Sequence, residues 1–477
     1  MLALGILLCY LLGVAVMLLI SRKYSLAEWI GFSFLIGMGL ETVFLFLLDI
    51  VGIKYSQGVL IGLNLVTILG LLAANYKNLL AFKDEFKAPF FSYKDINLSA
   101  IAILCFAAYL FYAITAKNLF WPPADHDAIG SFDKLGKIMA LEGKLKISLF
   151  QYNLEGAGGI YPPLFHGSFA YVYIFGALIP KIATTLFFLS LLTSFYGLLR
   201  KYVDSTAASL FTLLLMITPE LFSHAALSLG NLPTTAYVGP AAMATILWLD
   251  KRDKKYFWIG ALLMAFVIWV RSDTVVFTAA ALLIVGVDFL RNKNWKELVS
   301  YGAIAVSPFI IWTLYVKVKL ASAQGARLNT AIGVNGERLS LMGNYVKAFL
   351  FGGQYQATLP NGIHSQGIDG GQLFGIVFIL FVLVLVINLV FIAKTGIEEY
   401  FNKNFSVLAF TVGAFFLYFL VFYLIDEKAQ NSPMYSLMES SFKRGLFCFV
   451  PLALFYCAAS PASSWLFERI EKFRTAG

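Results

Sequence analysis

The chain has 477 residues, a formal net charge of +9, 60% apolar residues and only 13% charged ones. Soluble domains run near half apolar and about a quarter charged, so a soluble single-core enzyme is excluded, as are disordered and fibrous chains. A transmembrane barrel is excluded too, because its strands would alternate over about ten residues instead of forming long unbroken apolar runs.

A helical crossing needs about 20 apolar residues. Runs of this kind lie at 1–20, 28–50, 57–74, 98–116, 181–199, 207–222, 234–249, 256–270, 274–290, 300–316, 371–393, 405–425 and 444–460. The expected fold is therefore all-α, a polytopic membrane protein of about 13 spans. The first run lacks a basic leader and a small-residue cleavage site, so it is expected to be retained. One further run, 164–179, decides the topology. Arg22/Lys23, the lysines of 77–94, Arg200/Lys201, the cluster Lys251 to Lys255, Arg291/Lys293/Lys296 and Arg469/Lys472/Arg474 fall on one side only if that run does not cross. It is expected as an interfacial or re-entrant helix, opened by Tyr161-Pro162-Pro163, because proline is tolerated in a first turn. The N-terminus is then outside and the C-terminus inside. Residues 1–97 form three spans with a cytoplasmic loop, 98–460 the main body, and 461–477 a short cytoplasmic tail. Two long loops, about 117–180 and 317–370, fall on the outer side, and long ordered loops usually carry function.

The basic residues form short clusters between spans, which are topology signals and give no surface for nucleic acid. Cys9, Cys105, Cys448 and Cys457 lie in apolar runs without metal spacing and read as buried free thiols. The inner loops are too short for a nucleotide-binding fold, and no Walker A or GxGxxG precedes a helix. Chemistry is therefore expected on the outer face.

The first outer loop reads Trp121-Pro122-Pro123-Ala124-Asp125-His126-Asp127. Ile129, Phe132, Leu135 and Met139 then recur at helical spacing, with Asp133, Lys134 and Lys137 between them. This pattern predicts a short amphipathic helix in the outer interface, ended by Gly143. Asp125 or Asp127 could cap it, or could accept a proton from an attacking hydroxyl. A Gly- and Asn-rich stretch, 151–160, leads to Tyr161-Pro162-Pro163-Leu164-Phe165-His166.

An acidic residue before an amphipathic helix, then Tyr-Pro-Pro-Leu opening another, resembles the GT-C superfamily. These are integral membrane glycosyltransferases that use polyprenyl-phosphate-linked sugars, and include protein O-mannosyltransferases and the lipid A aminoarabinose transferase. The likeness runs from about 98 to 460 and is nearest to a bacterial group whose loop starts Pro-Pro-Thr-Asp-Trp-Asp, here Pro122 to Asp127. It implies that Asp127 is the catalytic base. The family's second acidic position matches Asn231, in Gly230-Asn231-Leu232-Pro233. Asparagine is no base and a weaker metal ligand, so Glu220 or Asp125 is the expected substitute. Arg271-Ser272-Asp273 resembles the family's basic-x-acidic pair, and Lys443-Arg444 the basic residues entering the last helix.

The leaving group of such a reaction is a lipid phosphate, whose growing charge needs cations in place beforehand. Arg444, Arg271 and Lys443 are the expected phosphate ligands, with snorkelling to the interface as the alternative reading. Asp125, Asn231, Asp273, Glu220, His166 and Tyr161 are the expected supporting residues. No cofactor is required; a divalent cation, Mg or Mn, is left open, with Asp125, Asp127 and His224 as its donors. His126, His166, His224 and His364 all fall on the outer side without paired-ligand spacing. Glu41, inside the second span, is either a functional carboxylate or a helix-packing group. The second loop carries Arg327, Arg338, Tyr345, Lys347 and His364, and 337–352 is expected as a helical lid.

The resemblance implies a bacterial inner-membrane enzyme whose active face is extracytoplasmic. It would move a sugar from a polyprenyl-phosphate donor to a lipid or glycan acceptor, with inversion. The alternatives are a transporter or flippase of lipid-linked sugars, and a non-catalytic scaffold in an envelope-polymer complex.

Overall fold

The computed structural model describes residues 1–76, 98–125, 127–145, 161–319, 335–359, 362–368, 373–395, 397–425, 434–463 and 465. His126, the lysines of 77–94, the 151–160 stretch and the basic tail lie outside them.

The chain begins with two helices in backbone contact. α1 (Leu2–Ile20) and α2 (Leu26–Ile50) run antiparallel, and Gly13 lies against Ser33 while Gly37 lies against Cys9. A Cβ at Gly13 would overlap the Ser33 carbonyl and stand 2.7 Å from its Cα. Small residues permit such an approach between membrane helices. α2 starts with a capping box: Ser25 Oγ accepts from Glu28 N at 3.3 Å, and Glu28 Oε2 accepts from Ser25 N at 2.7 Å. Glu28 is fully buried, and Tyr256 Oη donates to its Oε1 at 2.6 Å while Lys201 Nζ lies 3.3 Å from Oε2. That node joins three helices at one end of the bundle.

α3 (Gln57–Ala74) and α4 (Leu98–Phe120) follow, both largely exposed along apolar sides. A π turn (Ala128–Phe132) then runs directly into α5 (Asp133–Glu142). Gly143 ends α5 in the left-handed conformation, φ 67°. α6 (Leu164–Ile174) opens after Pro163, as the proline pair requires. Its eleven residues span about 16 Å, too short to cross. It is buried among α2, α5 and α7 (Lys181–Leu199) rather than resting on a surface.

α8 (Ser205–Met216) stops before Pro219, and α9 (Pro219–His224) is a single short helix. α10 (Asn231–Lys251) is buried along almost its whole length. It packs on α7 and on α11 (Lys254–Val270), where Gly260 fits against Thr245. Tyr237 Oη donates to Leu35 O at 2.7 Å, fixing α10 to α2. The core of the protein therefore sits where α2, α7, α10 and α11 meet. α12 (Val275–Asn292) and α13 (Trp295–Lys319) line its flank.

α14 (Gly336–Phe351) realises the helix expected at 337–352. An antiparallel hairpin comes next, β1 (Gly353–Leu359) paired to β2 (Gly362–Ile368) in register Gly353↔Ile368; His364 falls on β2. α15 (Val377–Thr395) and α16 (Ile397–Tyr423) precede a broken final segment. It comprises α17 (Met434–Leu437), a π turn (Met438–Phe442), α18 (Lys443–Gly445), a 3₁₀ turn and α19 (Phe449–Ala459).

Among the described residues, eight helices are long and apolar enough to cross a membrane. This is a helical membrane-embedded protein. Of the other five expected spans, 371–393 is covered by α15 over Val377–Thr395, and the remaining four are helices that are shorter, interrupted or more polar. The 207–222 run breaks at Pro219 and the 444–460 run at its 3₁₀ turn, while α10 carries Asn231, two prolines and several threonines.

Candidate functional site

Asp127 sits at the head of the first π turn, and its side chain makes no capping bond there. Arg444 Nη2 instead donates to Asp127 Oδ2 at 2.7 Å, across 317 residues of sequence. Both side chains are a little over one-third exposed, so the pair lies at a rim. The two π turns flank it, one just after Asp127 and one just before Lys443-Arg444. Such turns occur frequently at functional sites.

Gly445 explains why Arg444 stands where it does. A Cβ at that position would overlap the Tyr418 hydroxyl. Tyr418 is buried on α16 and donates to the carbonyls of Ser441 and Phe442, each at 3.2 Å. The segment carrying Arg444 is thus pressed onto Tyr418 from one side.

Arg271 caps α11 in extended geometry, φ −152°. Its Nε and Nη2 bind the two Asp273 oxygens at 3.0 and 2.6 Å. Its Nη1 donates to Asn231 Oδ1 at 3.4 Å, and its guanidinium lies 5.3 Å from the centre of the Tyr161 ring. Burial works against the Arg271 charge, but Asp273 more than restores it and holds the pKa above the usual arginine range. Forked pairing of this kind fixes the plane of the guanidinium as well as its position.

Asn231, Thr234, Arg271, Asp273, Thr274, Phe277, Tyr418, Arg444, Gly445 and Cys448 line one pocket. Its free space is about 10 Å³, close to what one water needs. Beside it, Glu220 lies 3.5 Å from His224 Nε2 and 3.9 Å from Lys443 Nζ. Burial alone would raise the Glu220 pKa; the hydrogen bond from His224 and the charges of His224 and Lys443 pull it below the usual value.

The expected residues therefore divide. Arg271, Asp273, Asn231 and Arg444 line one pocket; Tyr161 lies against Arg271 and Asp127 against Arg444, and Lys443, Glu220 and His224 form a group next to Arg444. His166 is elsewhere: it is buried against Phe132 and Phe165, and its Nε2 has no partner among the described residues. Burial pushes its pKa down to about 4. Asp125 Oδ2 is also buried without a partner among the described residues. Glu41 is enclosed near Asn64 and Tyr171, whose polar groups bond elsewhere, to Leu60 O and Gly5 O. Among the described residues no three His, Cys, Asp or Glu side chains gather. Of the expected donors for Mg or Mn, Asp127 is turned to Arg444 and His224 to Glu220, so among the described residues they share no cradle with Asp125.

The sequence reading missed Tyr418, Thr234 and Cys448. Each is a single polar residue inside an apolar run and shows no periodicity that would mark it. It also missed Asn118, whose Nδ2 donates to Thr185 Oγ1 and Ala225 O, both at 2.7 Å, tying α4 to the site's neighbours. The end of α5 is fastened to α2 and the α2–α3 connection, where Leu145 N donates to Asp49 Oδ1 at 2.8 Å and Tyr55 N to Gly143 O at 2.9 Å, and its start to α6, where Tyr173 Oη donates to Asp133 Oδ1 at 2.5 Å.

Comparison with family models, curated proteins and solved structures returned no match. The geometry carries the functional argument alone.

Proposed function

We propose that this protein is a membrane glycosyltransferase of the GT-C type, transferring a sugar from a polyprenyl-phosphate donor to a hydroxyl of a lipid or glycan acceptor. The observation that supports this most is a pocket lined by two arginines, Arg271 and Arg444, the second paired with the carboxylate of Asp127, in a membrane-embedded helical bundle. Phosphate departure needs cations fixed in advance, and attack by a hydroxyl needs a base nearby.

In this reading the acceptor oxygen forms a bond to the anomeric carbon as the carbon–oxygen bond to phosphate breaks. The electron pair leaves with the polyprenyl phosphate, and the hydroxyl proton passes to Asp127. Arg271, fixed by Asp273 and Asn231, takes one phosphate oxygen, and Arg444 another. Direct attack inverts the anomeric configuration. No step in this reading is routed through a metal.

The site then faces the extracytoplasmic side of a bacterial plasma membrane, where polyprenyl-phosphate sugars are presented. Sugar transfer in proteoliposomes tests the proposal. A panel of polyprenyl-phosphate sugars is supplied with extracted envelope lipids, and wild type is compared with Asp127→Asn. Transfer by wild type and a loss of about a hundred-fold or more in the variant, with its fold intact, is expected. Equal transfer by both would remove Asp127 from the chemistry. Lipid-linked sugar crossing the bilayer without transfer would favour a flippase.

A further inference from the structure

The pocket between the two arginines has room for about one water, and a phosphate needs several times that. Arg444, which lines the pocket, is paired with Asp127 at 2.7 Å. The proposed base is therefore held by one of the proposed phosphate ligands. Both groups cannot serve a reaction while they serve each other.

We propose that the Asp127–Arg444 ion pair is a latch opened by the donor's phosphate, so that Asp127 is released from Arg444 only when a donor is bound. This rests on the transferase reading. Three features assign the moving parts. Arg271 is fixed by the Asp273 fork and Asn231, so it is the standing cation. Arg444 has Asp127 as its bonded partner and is a little over one-third exposed, so its guanidinium can swing. Gly445 is wedged on Tyr418, so motion falls to the π turns at Ala128–Phe132 and Met438–Phe442, whose wider hydrogen-bonded rings can tighten to α-helical ones.

The exchange is one of anions on Arg444. The donor's phosphodiester carries one charge, as a carboxylate does, but it meets Arg271 and Arg444 together, so it displaces Asp127. The released carboxylate then stands beside the bound donor, where the acceptor hydroxyl must arrive. In the empty protein the base is neutralised, and water at the rim meets no free carboxylate. The consequence is an order of events, donor first and acceptor second.

The test measures binding of a short-chain, fluorescently labelled polyprenyl phosphate to detergent-purified protein. It uses wild type, Asp127→Asn, Arg444→Gln and the double variant. Asp127→Ala is run in parallel, so that misfolding of a single variant does not decide the result. A partly exposed pair is worth at most about a five-fold factor, and removing the carboxylate charge near the phosphate adds to it. Asp127→Asn is therefore expected to bind the probe about three-fold tighter or more while losing transfer. In the Arg444→Gln background the same substitution should leave affinity within about 1.5-fold, because no latch remains. Unchanged or weaker binding by Asp127→Asn and Asp127→Ala would overturn the latch. So would equal tightening in both backgrounds, which would be plain charge repulsion. Either result leaves the transferase reading standing if wild type transfers sugar. No binding of the probe by wild type would overturn both.

Discussion

Consider Gly445→Ala. The added methyl would overlap the Tyr418 Oη and Cζ and stand 2.8 Å from Cε1. Tyr418 has little room to retreat, because its ring packs against Phe277, Phe422, Phe442 and Phe449. Overpacking of this kind costs about 1–3 kcal/mol. Displacing the hydroxyl also loosens its bond to the carbonyls of Ser441 and Phe442, a further 0.5–1.5 kcal/mol, roughly. The expected total is about 2–4 kcal/mol. Thermal unfolding in detergent measures it, with Gly413→Ala as control. Gly413 lies on the same helix as Tyr418, and a Cβ there meets nothing within 4 Å, so alanine should raise stability by about 0.5–1 kcal/mol. Trimming the ring tests the cause: Tyr418→Leu combined with Gly445→Ala should cost less than the sum of the two single changes. The reasoning fails if Gly445→Ala melts with wild type, or if the two costs add in full.

Gly13→Ala and Gly37→Ala should each destabilise by about 1–3 kcal/mol, because each methyl meets backbone of the facing helix; Gly62→Ala, in open space, is the control. Equal melting temperatures for Gly13→Ala and Gly62→Ala would refute the close α1–α2 contact. His166 supplies a pH dependence. Its folded pKa is about 4, against about 6.5 unfolded, so the unfolded chain binds the extra proton in that window. Stability is complete above about pH 6.5 and falls as pH drops toward 4, by about 3 kcal/mol in total. His166→Gln should flatten that acid limb of the melting profile, and an unchanged limb would show that the imidazole is not buried neutral.

Parts of this molecule were legible because lipid imposes a simple rule. A helix facing hydrocarbon must be apolar for its full length, and α1 to α4, α7, α12, α13 and α16 follow that rule. α10 does not need to, because protein surrounds it, so its threonines and prolines blurred the reading. The β1–β2 hairpin was missed although β1 alternates, Gln354, Gln356 and Thr358 against Tyr355, Ala357 and Leu359, because β2 carries no such pattern to pair with it. At the site, Asp127, Arg271 and Arg444 stood out as charges at the ends of apolar runs. That Asp127 bonds to Arg444 rather than capping a helix was not legible. A contact across 317 residues leaves no spacing signal. Tyr418 was hidden for a related reason, as one hydroxyl in an apolar helix.

The buried node at Glu28 has a consequence for synthesis. Its carboxylate is satisfied in the finished protein by Lys201 and by Tyr256, which lies 228 residues later in the chain. At about 5–20 residues per second, that interval lasts roughly 10–45 seconds. For most of it α2 carries an acidic side chain whose cation and hydroxyl partners do not yet exist, Lys201 being made before Tyr256. The capping box gives the carboxylate a local bond to Ser25 N from the start. The early helix hairpin can therefore wait for the later helices with the Glu28 carboxylate already engaged by its own backbone.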